Sequence, residues 1–473
     1  MSQWPSIAQL VHQIQGGELT ATASVERALR SVDEKSEYNA VITTIHDRAR
    51  KRAKEIDEKI AKGEKVGRLA GVPFIAKDNF LTFGSETTAA SNILKGFEAP
   101  YQATAIEKLE TEGAICVAKA NLDAFAHGNS TENSDLMITK NPHDKTKVPG
   151  GSSGGSAAAV ILDLAPFALG TDTGGSIRQP ASFCGAVGFK PTYGLVSRSG
   201  VVAMASSMDV IGPLTRTVED AALVLDIIAG KDELDSTAID RDKTPYTNLA
   251  VDIKDKKIGV IKEYFGEGLD PDVRKHLEAA LETLKHAGAD VVEISLPSLS
   301  LALACYYVLA PAEISSNLSR YDGQRYGHSS ADAKNLDESY NWSRSEGFGK
   351  EAKRRIMIGT YVLSSGYYDA YYRKAQQLRT KLINEFSAAL AKVDFLAGPV
   401  APTTAFKVGE NADNPLATYL QDIYSVAANL VGIPAVSVPT GMVQTMPVGL
   451  QLMAPQHHDR ELLAVAQKTE ELL

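Results

Sequence analysis

Two glycine-rich clusters that carry serines stand close together in the chain: Gly150-Gly151-Ser152-Ser153-Gly154-Gly155-Ser156, then Gly170-Thr171-Asp172-Thr173-Gly174-Gly175-Ser176-Ile177-Arg178-Gln179-Pro180. Successive glycines let a backbone turn tightly and aim N–H groups at one point, where developing negative charge is stabilised. A hydroxyl nucleophile beside such donors suits acyl transfer. Lys77 ends an apolar run over residues 71–77 and does not lie on a polar face. Burial favours the neutral form of a lysine, and a neutral amine can act as a base. A lysine at a strand end more often reaches solvent, so its candidacy rests on the two clusters that follow it.

Two other chemistries fit less well. A phosphate-binding loop ends in Gly-Lys-Ser/Thr, and no lysine stands between Gly150 and Ser156. Gly151–Gly155 also matches G-x-S-x-G, the elbow of another hydrolase class. That mechanism requires a histidine base, and none of the nine histidines has a suitable context.

The elements that must position these residues alternate in type. The apolar run over 71–77 reads as a strand, residues 104–112 as a helix and 114–118 as a second strand. Such alternation implies a sheet covered on both faces. The first seventy residues read as helices of a solvated outer layer, one over 45–62 with Glu55–Lys59 and Glu58–Lys62 pairs and a stop at Gly63. Further on, a strand over 257–261 precedes a helix with Asp270 as N-cap, Pro271 first, and Val273, Leu277, Leu281 and Leu284 on one face; Gly288 ends it and 291–294 returns as a strand. Residues 300–390 are mostly helical and rich in tyrosine, a clustering expected in a core or a subunit contact. Strands follow over 395–397, 435–438 and 448–452, and an amphipathic helix begins at Asp459.

Composition narrows the function classes. With 49 Lys plus Arg against 58 Asp plus Glu, the net charge of −9 repels a phosphate backbone, so any RNA contact is expected mainly from another chain. Three cysteines without C-x-x-C spacing indicate neither a disulfide framework nor a metal site. The first Lys or Arg is Arg27, which fits no signal or transit peptide. The most apolar stretch, 157–170, is interrupted by Asp163 and Pro166 and is too short to span a bilayer. The expectation is a soluble, cytoplasmic protein without a membrane partner.

Lys77 and the two glycine–serine segments, in that order, resemble the core of the amidase signature family. Residues 123–134, 183–194, 321–327, 343–356, 359–372 and the tail through Leu452 are similar to one branch of it, the amidase-type subunits of tRNA-dependent amidotransferases. The resemblance implies an α/β fold, the amidase-signature α/β/α sandwich with a large mixed sheet between helical layers. It implies a single domain over 1–473, with a helical N-terminal layer (1–70), a catalytic core (71–215) and a helical region (300–390) contributing to the substrate pocket.

Carried onto this chain, the resemblance makes Ser176 the nucleophile, Ser152 the bridging serine after a cis Gly151–Ser152 peptide, and Lys77 the terminal base. Local sequence leaves Ser153 open as the bridge. The N–H groups of Thr173, Gly174, Gly175 and Ser176 would form the oxyanion hole, with Asp172 and Arg178 holding the loop. Glutamine as substrate needs a guanidinium for its α-carboxylate and a carboxylate for its α-ammonium. The resemblance assigns these to Arg355 and Asp422, with Tyr306 and Ser130 as further polar contacts; Arg354 and Tyr307 are open rivals.

The implied reaction is hydrolysis of glutamine to glutamate and ammonia through a glutamyl ester, with no cofactor in this chain. The ammonia would pass to a partner B subunit that uses ATP and Mg²⁺ to amidate Glu-tRNA(Gln), with a small C subunit completing a heterotrimer; conversion of Asp-tRNA(Asn) stays open. Ala124, His127, Asn129 and His143 depart from the branch's usual pattern and bear on the pocket wall or the ammonia path. A stand-alone amidase for small amides and a non-catalytic scaffold are the other readings.

Overall fold

The computed structural model describes residues 3–254 and 256–473. Its strands are β1 (Val41–Thr44), β2 (Pro73–Lys77), β3 (Ile115–Ala120), β4 (Phe167–Asp172), β5 (Val187–Lys190), β6 (Val210–Thr215), β7 (Lys257–Ile261), β8 (Asp290–Ile294), β9 (Phe395–Pro399), β10 (Ala435–Val443) and β11 (Met446–Met453). They form one mixed sheet in the order β1-β3-β2-β4-β6-β5-β10-β11-β9-β7-β8. Every residue of β2 through β6 is buried, as near-continuous apolar strands require when helices cover both faces. The edge strands β1 and β8 are only partly covered.

Pairing directions place the chemistry. β2 runs parallel to both β3 and β4, so the C-terminal ends of β2 and β4 emerge at the same edge of the sheet. Phe74 and Phe167, opposite each other in that pairing, stack with ring centroids 5.2 Å apart and fix the register. Lys77 therefore leaves β2 beside Thr171 and Asp172 at the end of β4. The return from β3 to β4 runs through a helix, Gly154–Ile161, whose start is the first glycine cluster. Crevices beyond the carboxyl ends of parallel strands are where open α/β sheets bind ligands.

The expected elements recur with small boundary shifts. The helix over 45–62 is His46–Ala61, and Asp270 caps Pro271–His286 by accepting from the N–H groups of Asp272 and Val273. The N-terminal layer differs from a solvated coat: Ile7, Leu10, Ile14, Val25 and Leu29 are buried, and β1 lies within it. Residues 157–170 are not one apolar unit but the end of a helix and the start of β4.

Among the described residues, the helical segment long and apolar enough by composition to cross a membrane is Pro297–Leu318, whose 18-residue window has mean hydropathy 1.3. It lies inside the protein, with 56 % of that window buried, and packs against the helix Lys350–Leu363. Gly359 meets it so closely that a Cβ would stand 1.9 Å from the Pro311 carbonyl oxygen. Tyr367, Tyr368 and Tyr371 do not line the core; each is 42 % exposed.

Candidate active site

Lys77 is fully buried at the end of β2. Its Nζ lies 2.8 Å from Ser152 Oγ, 2.9 Å from Ser153 Oγ and 2.9 Å from Thr171 Oγ1. Burial lowers its pKa from 10.5 to about 7, against the opposing pull of Asp123, Asp172 and Asp209. A neutral amine offers two N–H donors and one lone pair, so one of the three hydroxyls donates to it. The Ser153 hydroxyl already donates to the Thr171 carbonyl at 3.1 Å. Ser152 is under no such claim. The peptide between Gly151 and Ser152 is cis, and the Ser153 N–H donates to the Ser176 carbonyl at 3.1 Å, tying the two glycine clusters together.

The second cluster is organised by Asp172. Its buried carboxylate accepts from the N–H groups of Gly175 (2.8 Å) and Ile177 (3.1 Å), and from Arg178 Nε (3.0 Å) and Nη2 (2.9 Å). Burial alone would raise the pKa of Asp172, but the Arg178 guanidinium, together with Lys190 and the Asn429 amide, holds the group well below the usual carboxylate range. Arg178 reaches on to the Ser425 carbonyl at 3.0 Å and Asn429 Oδ1 at 2.7 Å. The expected holding role of this pair is thus visible in its contacts.

One expected oxyanion donor needs correcting. The Gly175 N–H is committed to Asp172, because the turn that presents Ser176 is closed by that hydrogen bond. Among the described residues, the N–H groups of Thr173, Gly174 and Ser176 make no hydrogen bond and remain for an anion. Both glycines are still required. Gly175 has φ +132°, and a Cβ on it would meet Ser425 Oγ at 2.3 Å; one on Gly174 would meet the Tyr306 ring at 2.7 Å.

Beyond this loop the amino-acid-binding candidates converge. Asp422, just past the helix Pro415–Leu420, accepts from Tyr307 OH at 2.7 Å and Asn129 Nδ2 at 3.0 Å. Burial pushes its carboxyl up to about 6. Ser425, three residues on, donates to the Gly174 carbonyl at 2.6 Å, which sets Asp422 beside the Ser176 loop. Of the rival arginines, Arg355 has a side chain only 4 % exposed and Arg354 one 42 % exposed. The Arg355 guanidinium lies 5.5 Å from the Tyr307 ring centroid and 5.7 Å from that of Tyr419. Ser130, Arg355, Arg354, Glu351, Thr418 and Tyr419 share a cavity of about 280 Å³.

Both rival tyrosines contribute, in different places. Tyr306 packs on Gly174, whereas Tyr307 holds Asp422 and stacks on Tyr419 with centroids 4.2 Å apart. Glu351, Tyr419 and Asp123 are further residues that the sequence did not single out. Glu351 accepts from Arg355 Nε at 2.8 Å and from Tyr419 OH at 3.0 Å. Asp123 accepts from the N–H groups of Thr131 and Asn133 and stands against Gly151, its carboxyl raised to about 6 by burial. No local pattern distinguishes these three from ordinary acidic and aromatic residues. The unusual Asn129 reaches Asp422, so that departure does touch the pocket. His143 lies elsewhere, 2.9 Å from the Cys184 carbonyl.

A buried lysine, two glycine–serine turns and a mixed sheet between helices define an amidase-type hydrolase, and the chain belongs to the amidase family: the Amidase family model matches residues 23–463. It is an amidase-signature enzyme. Among its relatives, the A subunit of the glutamyl-tRNA(Gln) amidotransferase of Thermoanaerobacter pseudethanolicus is 51 % identical over 466 residues, covering 98 % of this chain and 95 % of that one. The crystal structure of the corresponding A subunit from Thermotoga maritima superposes with a TM-score of 0.79 at 40 % identity, over 94 % of this chain and 90 % of that one. The peptide amidase from Stenotrophomonas maltophilia gives 0.82 at 30 % identity, over 98 % and 96 %.

Proposed function

We propose that the chain is the glutaminase subunit of a cytoplasmic tRNA-dependent amidotransferase, with Ser176 as nucleophile, Ser152 as bridge and Lys77 as base. The observation that carries this reading is the contact of a buried, near-neutral Lys77 with Ser152, one loop away from Arg355 and Asp422, which meet on opposite parts of Tyr307.

In this mechanism Arg355 binds the α-carboxylate of glutamine and Asp422 its α-ammonium, with Ser130 lining the same pocket and Tyr306 backing the loop. Ser176 Oγ attacks the side-chain amide carbon. Its proton moves to Ser152 Oγ as the Ser152 proton moves to Lys77 Nζ. The tetrahedral oxyanion is met by the N–H groups of Thr173, Gly174 and Ser176, donors of a kind worth about 3–4 kcal/mol each in the transition state. The carbon–nitrogen bond then breaks, the relay returns a proton to the departing ammonia, and a glutamyl ester remains on Ser176. Water, deprotonated through the same relay, releases glutamate. Ser153 suits the bridging role less well, because its own proton is engaged by Thr171.

The curated relatives are named as subunits, which supports a multi-subunit assembly here. The ammonia would pass to a B subunit that activates Glu-tRNA(Gln) with ATP and Mg²⁺, with a C subunit completing the complex. Ammonia release from glutamine by the full chain, alone and co-expressed with those subunits, tests the reading. Turnover of glutamine that rises with charged tRNA and vanishes in Ser176→Ala is expected. Undiminished turnover of diverse small amides by the chain alone would indicate a stand-alone amidase instead.

A further inference from the structure

Glu351 is the second residue of the helix Lys350–Leu363, one turn before Arg355. Its side chain is only 9 % exposed. It accepts from Arg355 Nε at 2.8 Å, from Tyr419 OH at 3.0 Å, and also pairs with Arg354. An unconstrained arginine samples many rotamers, and a fork that must meet a carboxylate in one plane gains from being fixed beforehand. With Nε committed to Glu351, the two Nη groups are the edge left for an anion. Tyr307 and Tyr419 stack beneath the guanidinium and close the remaining freedom.

The same carboxylate also connects Arg355 to Asp422. From Glu351 the contacts run through Tyr419 to Tyr307 by ring stacking, and from the Tyr307 hydroxyl to Asp422 at 2.7 Å. We propose that Glu351 is a positioning residue for amino-acid recognition: it orients Arg355 and, through the Tyr419–Tyr307 stack, sets the spacing between the carboxylate-binding and ammonium-binding groups. The inference rests on the glutaminase reading and extends it to the origin of the preference for an α-amino acid over a plain amide. Glu351 touches no reacting atom, so its effect belongs in substrate binding and not in the proton relay.

The test compares glutamine with γ-aminobutyramide, which is glutamine lacking its α-carboxylate, using the full chain with its companion subunits. Glu351→Ala is expected to raise KM for glutamine about tenfold while kcat stays within about twofold, and to lower kcat/KM for γ-aminobutyramide by no more than about threefold, because that substrate keeps the ammonium for Asp422 but has no carboxylate for Arg355. Glu351→Gln, which keeps an acceptor for Arg355 and Tyr419, is expected to restore KM to within about threefold of the parent. Tyr419→Phe removes one hydroxyl and is expected to raise KM for glutamine by about threefold; this milder change decides the matter if Glu351→Ala does not fold. Unchanged KM for glutamine in Glu351→Ala and Tyr419→Phe would overturn the proposal, as would an equal fall in kcat for both substrates. Failure of the unmodified enzyme to hydrolyse glutamine would overturn the glutaminase reading, and this inference with it.

Discussion

Lys77 Nζ stands 2.8 Å from Ser152 Oγ, with no exposed surface on either residue. Because burial lowers Lys77 to about 7 and the proposed relay needs its neutral amine, kcat for glutamine hydrolysis should climb as pH rises through about 7 and level off above it. Removing the amine in Lys77→Ala should cost about 10³–10⁴-fold in kcat.

The same shift has a stability consequence of definite sign. Unfolded, Lys77 titrates near 10.5 and folded near 7, so between these values the unfolded state binds more protons and stability gains as pH rises. Below about 7 the burial of this lysine is fully unfavourable. Lys77→Met should therefore be more stable than the parent at pH 7 in urea unfolding, with the gain shrinking toward about pH 10.

Ser152 and Ser153 both touch Lys77, but only Ser153 has its proton on the Thr171 carbonyl. Ser152→Ala is expected to lose about 10³-fold or more in kcat, and Ser153→Ala to stay within about tenfold of the parent. Steady-state ammonia release from the two variants measures the difference directly.

Asp172 supports the Ser176 loop through Gly175, Ile177 and Arg178 at once. Asp172→Asn leaves the buried Arg178 uncompensated and should destabilise the protein by about 3–5 kcal/mol, read as a lower midpoint in denaturant.

Much of this architecture was legible because it is local. Asp270 with Pro271, or the two glycine clusters, carry their signal within a few residues. What could not be read depends on partners distant in the chain. Glu351 looks like a helix-surface acid until Tyr419 and Arg355 meet it. Gly175 looks like an oxyanion donor until Asp172 is seen to take its N–H. Pro297–Leu318 hides its apolar character behind the tyrosines that open the 300–390 region, and only packing shows that it is a core helix. Tyr367, Tyr368 and Tyr371 lie outside the core, and residue type alone does not say which of the two expected settings, core or subunit contact, a tyrosine takes.

Asp422 titrates near 6 because burial penalises its charge, and only the carboxylate attracts an ammonium. KM for glutamine should therefore rise as pH falls through about 6, a dependence distinct from that of kcat on Lys77. Asp422→Asn should raise KM about 10–100-fold at pH 8 and abolish its rise near pH 6.

The central claim is a glutamyl ester on Ser176 formed through the Lys77–Ser152 relay. Acid quenching of the enzyme during glutamine turnover, followed by mass spectrometry of its peptides, tests it most directly. The account predicts a hydroxylamine-sensitive glutamyl adduct on the peptide containing Ser176, absent from Ser176→Ala. An adduct on another residue, or glutamine hydrolysis undiminished in Ser176→Ala, would contradict it.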